Sequence, residues 1–262
     1  WQGGSSGIDP GLSSEEHIAR VILLPMKNIA GKSCILTGAS RGIGKAIALR
    51  LAAEEVLVTA IARDEQALGE LCSENPGIRS TPCDVTDEAG VKRITAEHVE
   101  HHGGLDILIN NAGTGTFGPL EEVSYRDFLR TMEINAGGTY LCMQAALPHM
   151  KAAGDGDIIN ISSVVGLKGY PDQAAYGASK HAVMGLTRSI ATEAAPAGVR
   201  VRAVCPGGVD TDLIRQARPD LDPGTLIQAD DVAEAVIFML KMSDTAVTDF
   251  LPLRRKGSEP QL

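Results

Sequence analysis

Tyr176 and Lys180 stand four positions apart in a run with helical period, so both side chains project from one face about one turn apart. A phenol with an ordinary pKa of about 10 is a poor base near neutrality, but a neighbouring ammonium favours the phenolate and brings the group toward its working range. The pair is therefore a candidate proton-transfer device, giving a proton to a carbonyl oxygen or taking one from a hydroxyl. Ser163, thirteen residues earlier and just past an apolar run, can donate a hydrogen bond to the same oxygen. Tyr-x-x-x-Lys alone recurs on ordinary amphipathic helices as a core edge beside a solvated charge. Its weight here comes from the company of Ser163, Asn135 and a glycine-rich turn.

That turn is Thr37-Gly38-Ala39-Ser40-Arg41-Gly42-Ile43-Gly44, between a strand-like run and a helix-like one. Gly38 permits a tight turn, Gly42 lets a pyrophosphate approach the backbone amides, and Gly44 lets the helix pack closely on a sheet. The free N–H groups at the helix start then face an anion. His149, His181 and the pair His101-His102 form no spaced ligand set with cysteines or carboxylates, and no metal site is expected.

The elements that must position these groups alternate along the chain. Strand-like runs at 33–37, 56–61, 78–83, 105–110, 157–162, 199–205 and 249–253 are separated by helical segments at 42–53, 64–74, 87–101, 124–152, 174–195 and 230–242. This rhythm signals βαβ units and a mainly parallel sheet, an α/β doubly wound arrangement with helices on both faces. Residues 1–30 read as an N-terminal arm or appended extension, and 31–262 as one domain with a substrate lid over about 207–229.

Composition excludes several classes. Hydrophobic residues make up 44% of the 262, enough for a sizeable core, and the net charge of −9 argues against a nucleic-acid partner. The longest apolar stretches are strand-sized, far below the roughly 18 residues of a membrane span. Five scattered cysteines without a Cys-x-x-Cys pair fit small core residues in a reducing, cytoplasmic setting.

The glycine-rich turn resembles the cofactor fingerprint of the short-chain dehydrogenase/reductase family. The match continues with Asn110-Asn111-Ala112-Gly113, Ser163, Tyr176-Gly-Ala-Ser-Lys180 and Pro206-Gly207, in family order over about 32–212. The resemblance implies a Rossmann fold, a seven-stranded parallel sheet in order 3-2-1-4-5-6-7, a nicotinamide cofactor and a homodimer or homotetramer. It implies a catalytic set of Asn135, Ser163, Tyr176 and Lys180, with Lys180 also holding the nicotinamide ribose and Asn135 a water behind the lysine. Cofactor contacts carried over the same way are Gly38, Ser40, Arg41, Gly42, Ile43, Gly44, Arg63, Asp84, Val85, Asn111, Ala112, Gly113, Tyr176, Lys180, Pro206, Gly207, Val209 and Thr211. Asp84-Val85 would border the adenine, and Val209 and Thr211 the carboxamide and phosphates.

By the same resemblance, Ala62 at the end of the second strand occupies the place of the NAD-selecting acid and Arg63 that of a phosphate-binding base, so Arg41 and Arg63 favour NADP(H) over NAD. Asp64 is better read as a helix N-cap. The expected activity is interconversion of a small-molecule carbonyl and a secondary alcohol. A non-catalytic NADP(H)-binding regulator and an epimerase or dehydratase with bound cofactor are the alternatives. Two departures from the family pattern stand out. Glu54-Glu55 replaces a glycine-containing turn, and Asp231-Val232-Ala233-Glu234-Ala235 with the ending Val247 to Arg255 looks unlike many ketoacyl reductases and closer to the branch reducing small oxo acids or diverse carbonyls, with Arg254 or Arg255 as an anion or interface group. The mixed charges of the lid give no substrate charge.

Overall fold

The computed structural model describes residues 26–218 and 220–259. Most of the expected N-terminal arm, residues 1–25, lies outside the described residues. Seven strands, β1 (Ser33–Thr37), β2 (Leu57–Ala62), β3 (Ile78–Pro82), β4 (Ile107–Asn110), β5 (Gly156–Ile161), β6 (Val199–Pro206) and β7 (Phe250–Leu253), form one sheet in the order β3-β2-β1-β4-β5-β6-β7. Every neighbouring pair is parallel, with β1 in register against β2 from Ser33 opposite Leu57 to Thr37 opposite Ile61. This is the expected doubly wound Rossmann order. Every residue of β1, β4 and β5 is buried, as a parallel sheet covered on both faces requires.

The covering helices are α1 (Gly42–Ala53), α2 (Glu65–Glu74), α3 (Glu88–His102), α4 (Tyr125–Met132), α5 (Gly138–Ala153), α6 (Ala174–Ala194), α7 (Asp212–Ala217) and α8 (Ala229–Leu240). Alternation along the strands divides the core. Leu36, Val58 and Ile109 pack with Ile47 and Leu51 of α1, Leu68 of α2 and Val236 of α8, whereas Ile35, Leu108 and Ile158 pack with Ile94 of α3 and Met143 and Met150 of α5. Strand order reverses at β1, whose neighbours are β2 and β4, and a crevice opens there beyond the carboxyl ends of the strands.

Three local features differ from the expected pattern. The helix expected over 124–152 is broken by a π-turn at Glu133–Gly137, which carries Asn135. The segment between β6 and α8 holds α7 and a short 3-10 turn, Pro223–Thr225, because Asp222 accepts a hydrogen bond from Gly224 N–H and starts that turn. At the Glu54-Glu55 connection, Glu55 adopts φ +59°, the left-handed conformation that glycine usually supplies.

Candidate active site

The crevice has two contiguous arms that share Ile43, Asn111, Gly113, Thr114, Thr211 and Leu213 in their walls. In the first arm, α1 begins at Gly42 with Arg41 as its N-cap, a residue whose side chain accepts nothing there. The N–H groups of the first turn are thus left for an anion, while α2 and α4 are closed by Asp64 and Ser124, which accept from Ala67 and Asp127 N–H. Asp64 is the expected N-cap, its Oδ1 accepting from Ala67 N–H at 3.0 Å, and it also lines this arm. A Cβ on Gly44 would lie 2.0 Å from Gly38 O, so glycine is required for the turn to close on the helix.

Asn111 locks this turn to the next strand end. Its Nδ2 donates to Thr37 O at 3.1 Å and Gly38 O at 3.0 Å, while its own N–H and that of Ala112 donate to Thr37 Oγ1 at 3.1 Å. Ser40, Arg41, Ala62, Arg63, Asp84, Val85 and Ala112 line the same arm. Arg41 and Arg63 are exposed and sit by acids, with Arg41 Nη1 3.4 Å from Asp212 Oδ2 and Arg63 Nη1 3.9 Å from Asp84 Oδ2. Arg130 of α4 reaches Asp84 Oδ2 as well, at 3.4 Å, a contact between distant segments that leaves no local signal. Burial raises the pKa of Asp84, but hydrogen bonds from Thr86 and the charges of Arg130 and Arg63 leave it below the usual carboxylate value.

The second arm brings together Ser163, Tyr176 and Lys180, with Gly113 across from them. Ser163 caps the 3-10 turn Val164–Gly166, accepting from Val165 N–H at 3.2 Å and donating to Pro206 O at 3.2 Å. Ser162 Oγ points elsewhere and donates to Lys180 O at 3.2 Å. Tyr176 lies in the first turn of α6 with its ring 5.4 Å from that of Phe117, in an apolar cluster with Val164 and Val165. That burial pushes its pKa up to about 12, against the pull of the Ser163 hydroxyl. The direction is opposite to the one expected from an adjacent ammonium. Lys180 is itself buried and pushed down to about 8, and its Nζ donates to Ile161 O at 2.8 Å while standing 5.7 Å from the Tyr176 ring centre.

Asn135 is fully enclosed and uses both ends of its amide inside the protein. Oδ1 accepts from Thr114 N–H, and Nδ2 donates to Thr114 O and Ser179 Oγ, each at 2.8 Å. Ser179 Oγ in turn donates to Tyr176 O at 2.7 Å. The π-turn is what directs Asn135 inward, a local distortion common at functional sites.

Pro206, the last residue of β6, and Gly207, Val209 and Thr211 beyond it line the second arm. Gly207 N–H donates to Leu253 O at 2.8 Å, and Val209 pairs with Ile227 across the ends of the following segment. All five cysteines are free; Cys34, Cys142 and Cys205 are buried as expected, but Cys72 and Cys83 are half-buried. No helix among the described residues is long and apolar enough to cross a membrane, and among those residues no group of three or more His, Cys, Asp or Glu is arranged for a metal.

The sequence profile of the family described as short chain dehydrogenase matches residues 32–222. This chain is a short-chain dehydrogenase/reductase. The enzyme is 38% identical over 195 residues, 72% of its own chain and 70% of the relative, to 3beta-hydroxysteroid dehydrogenase of Mediterraneibacter gnavus. It is 36% identical, over 84% of its chain and 90% of the relative, to trans-4-hydroxycyclohexanecarboxylate dehydrogenase of Sinomonas cyclohexanicum. Among solved structures, NAD+-bound xylitol dehydrogenase superposes with a TM-score of 0.80 at 31% identity, covering 86% of this enzyme and 98% of that chain. Carveol dehydrogenase from Mycobacterium avium in complex with NAD gives 0.80 at 30% identity, covering 86% and 97%. The enzyme is thus an oxidoreductase acting on CH–OH groups with a nicotinamide cofactor.

The crevice fits that group. A Cβ on Gly113 would stand 3.2 Å from Asn135 Oδ1 and 3.6 Å from Lys180 Nζ, so the bare backbone keeps the floor between the two arms open. The uncapped start of α1 supplies the anion site at one end.

Proposed function

We propose that the enzyme interconverts a carbonyl and a secondary alcohol with NADP(H), using Tyr176 as the acid/base. The observation that carries this reading is the convergence of Ser163, Tyr176 and Lys180 on the same arm, opposite the open floor at Gly113. The cofactor, when bound, supplies or accepts the hydride.

The first-turn amides of α1, from Gly42 through Gly44, hold the pyrophosphate, and Asn111, Ala112 and Gly113 shape the floor beneath the ribose and nicotinamide. Asp84 and Val85 border the adenine; Pro206, Gly207, Val209 and Thr211 border the carboxamide. Ser163 Oγ donates to the substrate oxygen, and Tyr176 Oη gives that oxygen its proton in reduction or takes it in oxidation. Lys180 has two ammonium hydrogens left after Ile161 O, which it offers to the ribose. Tyr176 is protonated at neutral pH, as an ordinary phenol is, and burial pushes its pKa further up, which suits it to act as the acid in reduction. Asn135 works through its neighbours, fixing Thr114 and, by way of Ser179, the first turn that carries Tyr176.

Arg41 and Arg63 favour a 2′-phosphate, because β2 ends in Ala62 and Asp64 is occupied as a helix cap. NAD is the second reading; both solved structures named above carry it, and Asp84 stands at Arg63. We assign residues 31–262 to one catalytic unit with a lid at about 207–229, active as a homodimer or homotetramer in the cytoplasm. The exposed Tyr125, Leu129 and Tyr140 on α4 and α5 support association.

The test is oxidation of NADPH and NADH with a carbonyl panel by the parent, Tyr176→Phe and Arg63→Asp. Tyr176→Phe should lose about 10²–10⁴-fold in kcat; equal rates would refute the assignment. Arg63→Asp should weaken NADPH and spare NADH, and an unchanged preference would leave NAD as the better reading.

A further inference from the structure

The substrate-side arm has a charge pattern that the chain as a whole lacks. Its charged lining residues are Lys180, Arg218, Arg254 and Arg255, and no Asp or Glu lines it among the described residues, although the full chain carries 33 acids against 24 bases. Lys180 sits at the reacting end. Arg218 is occupied by Asp220, which it holds with two hydrogen bonds of 2.8 and 2.7 Å.

Arg254 and Arg255 follow β7, where the chain turns back over the arm. Arg254 Nη1 donates to Ser258 O at 2.6 Å, and the turn is closed by Ser258, whose N–H and Oγ donate to Arg255 O at 3.0 and 2.9 Å. Neither arginine pairs with a carboxylate within 4.0 Å among the described residues, and the Arg255 stem is half-buried, its Cδ 3.6 Å from where a Cβ on Gly208 would stand. The arginines proposed for the cofactor, Arg41 and Arg63, line the other arm. The remaining wall is uncharged, with Phe117, Val165, Leu213 and Leu221 beside polar groups such as Gln173 and Thr114, and the arm has a volume of about 230 Å³. That is below the roughly 300–1,000 Å³ usual for larger ligands.

We propose that Arg254 and Arg255 bind a carboxylate of the substrate, so that the substrate is a small hydroxy acid or oxo acid with an apolar body and its carboxylate remote from the reacting carbon. The inference rests on the reading of this arm as the substrate side. Its physical ground is that a guanidinium at the rim of a cleft without acidic lining residues gains most from a planar anion it can grip with two hydrogen bonds.

The test uses a length series, 3-hydroxybutanoate, 4-hydroxypentanoate and 5-hydroxyhexanoate, each beside its methyl ester. Calorimetry is done on the full chain with NADPH or NADH present, where a hydroxy acid cannot react. At least one acid should bind about tenfold or more tightly than its ester. That ratio should collapse toward one in Arg254→Met/Arg255→Met and partly return in Arg254→Lys/Arg255→Lys, with circular dichroism and elution volume confirming fold and assembly. The same ratio, read in oxidation with NADP or NAD, should appear in KM and not in kcat. The inference is overturned if no acid binds better than its ester, or if the double Met variant keeps the ratio. Arginine-dependent binding of an acid that is then turned over equally by Tyr176→Phe would overturn the catalytic reading and leave this one standing.

Discussion

Asn135 holds the peptide unit of Thr114 as a second strand would, its Oδ1 accepting the Thr114 N–H and its Nδ2 donating to the Thr114 carbonyl, both at 2.8 Å. The loop after β4 is thereby fastened to the π-turn between α4 and α5, and the third bond to Ser179 ties both to the first turn of α6. Asn135→Ala would leave the part-buried N–H and carbonyl of Thr114 without these partners and remove the bond that the buried Ser179 Oγ accepts. It should cost about 2–4 kcal/mol in urea denaturation, together with a fall in kcat larger than any change in cofactor affinity. Asn135→Asp keeps the acceptor but sets a carboxylate against the Thr114 carbonyl, and should be no better. An Ala variant of parental stability would show the bonds to be dispensable.

Stability should decline in mild acid because of His98. This ring lies buried on α3 with Nδ1 2.8 Å from Thr59 Oγ1, and burial followed by the nearby His102 pushes its pKa down to about 4. The unfolded chain, with an ordinary histidine near pH 6.5, binds a proton that the folded chain refuses. The contribution is therefore complete above about pH 6.5 and is lost as the pH falls through about 4, amounting to at most about 3 kcal/mol. Denaturation midpoints between pH 7 and pH 4.5 should fall for the parent and fall less for His98→Gln; parallel curves would refute the assignment.

At the opposite end of the sheet from the crevice, Asp157 of β5 holds two arginines of β6. Arg200 Nε and Nη2 donate to its two oxygens at 2.9 and 2.7 Å, and Arg202, almost wholly buried, donates to Oδ1. Arg202 Nε has no partner, so this guanidinium depends on Asp157 for its charge compensation. Asp157→Asn should therefore destabilise by about 3–5 kcal/mol. Replacing Arg202 with Met as well should recover much of that loss, and a double variant as unstable as the single one would contradict the account.

Glu55 is exposed in the left-handed region and carries no ion pair within 4.0 Å among the described residues. Glu55→Gly should stabilise the fold by about 1 kcal/mol, since relief of the Cβ clash outweighs glycine's entropy at such a position. A thermal melt checks it, and an unchanged or lower midpoint would contradict the strain.

The architecture was readable because the central strands are short apolar runs separated by helix-length segments, although β3, Ile78–Pro82, is largely polar. The glycine turn, Asn111, Ser163 and the Tyr176/Lys180 spacing were legible because backbone constraints and helical period leave local marks. What was not legible depends on contacts between distant segments. The π-turn leaves no periodic trace, since one extra residue within a long helix-like run does not disturb its composition. Arg130 reaches Asp84 from 46 positions away. The raised pKa of Tyr176 depends on Phe117 and Val165 closing over the phenol, whereas spacing alone showed only the lysine. Arg254 and Arg255 belong to the substrate arm because β7 pairs at the sheet edge and returns the chain, a placement their sequence neighbours do not encode.

The pairing of Val209 with Ile227 has an engineering consequence. Asp210 N–H donates to Ile227 O and Ile227 N–H to Gly208 O, so the chain departs and returns through one stitched seam. What lies between is a segment anchored at its base, whose Thr211 and Leu213 reach into the crevice walls. Exchanging residues 214–226 for the corresponding stretch of another enzyme of this fold, with Thr211 and the Leu213 that packs beside Tyr176 retained, is thus the shortest route to a new substrate repertoire.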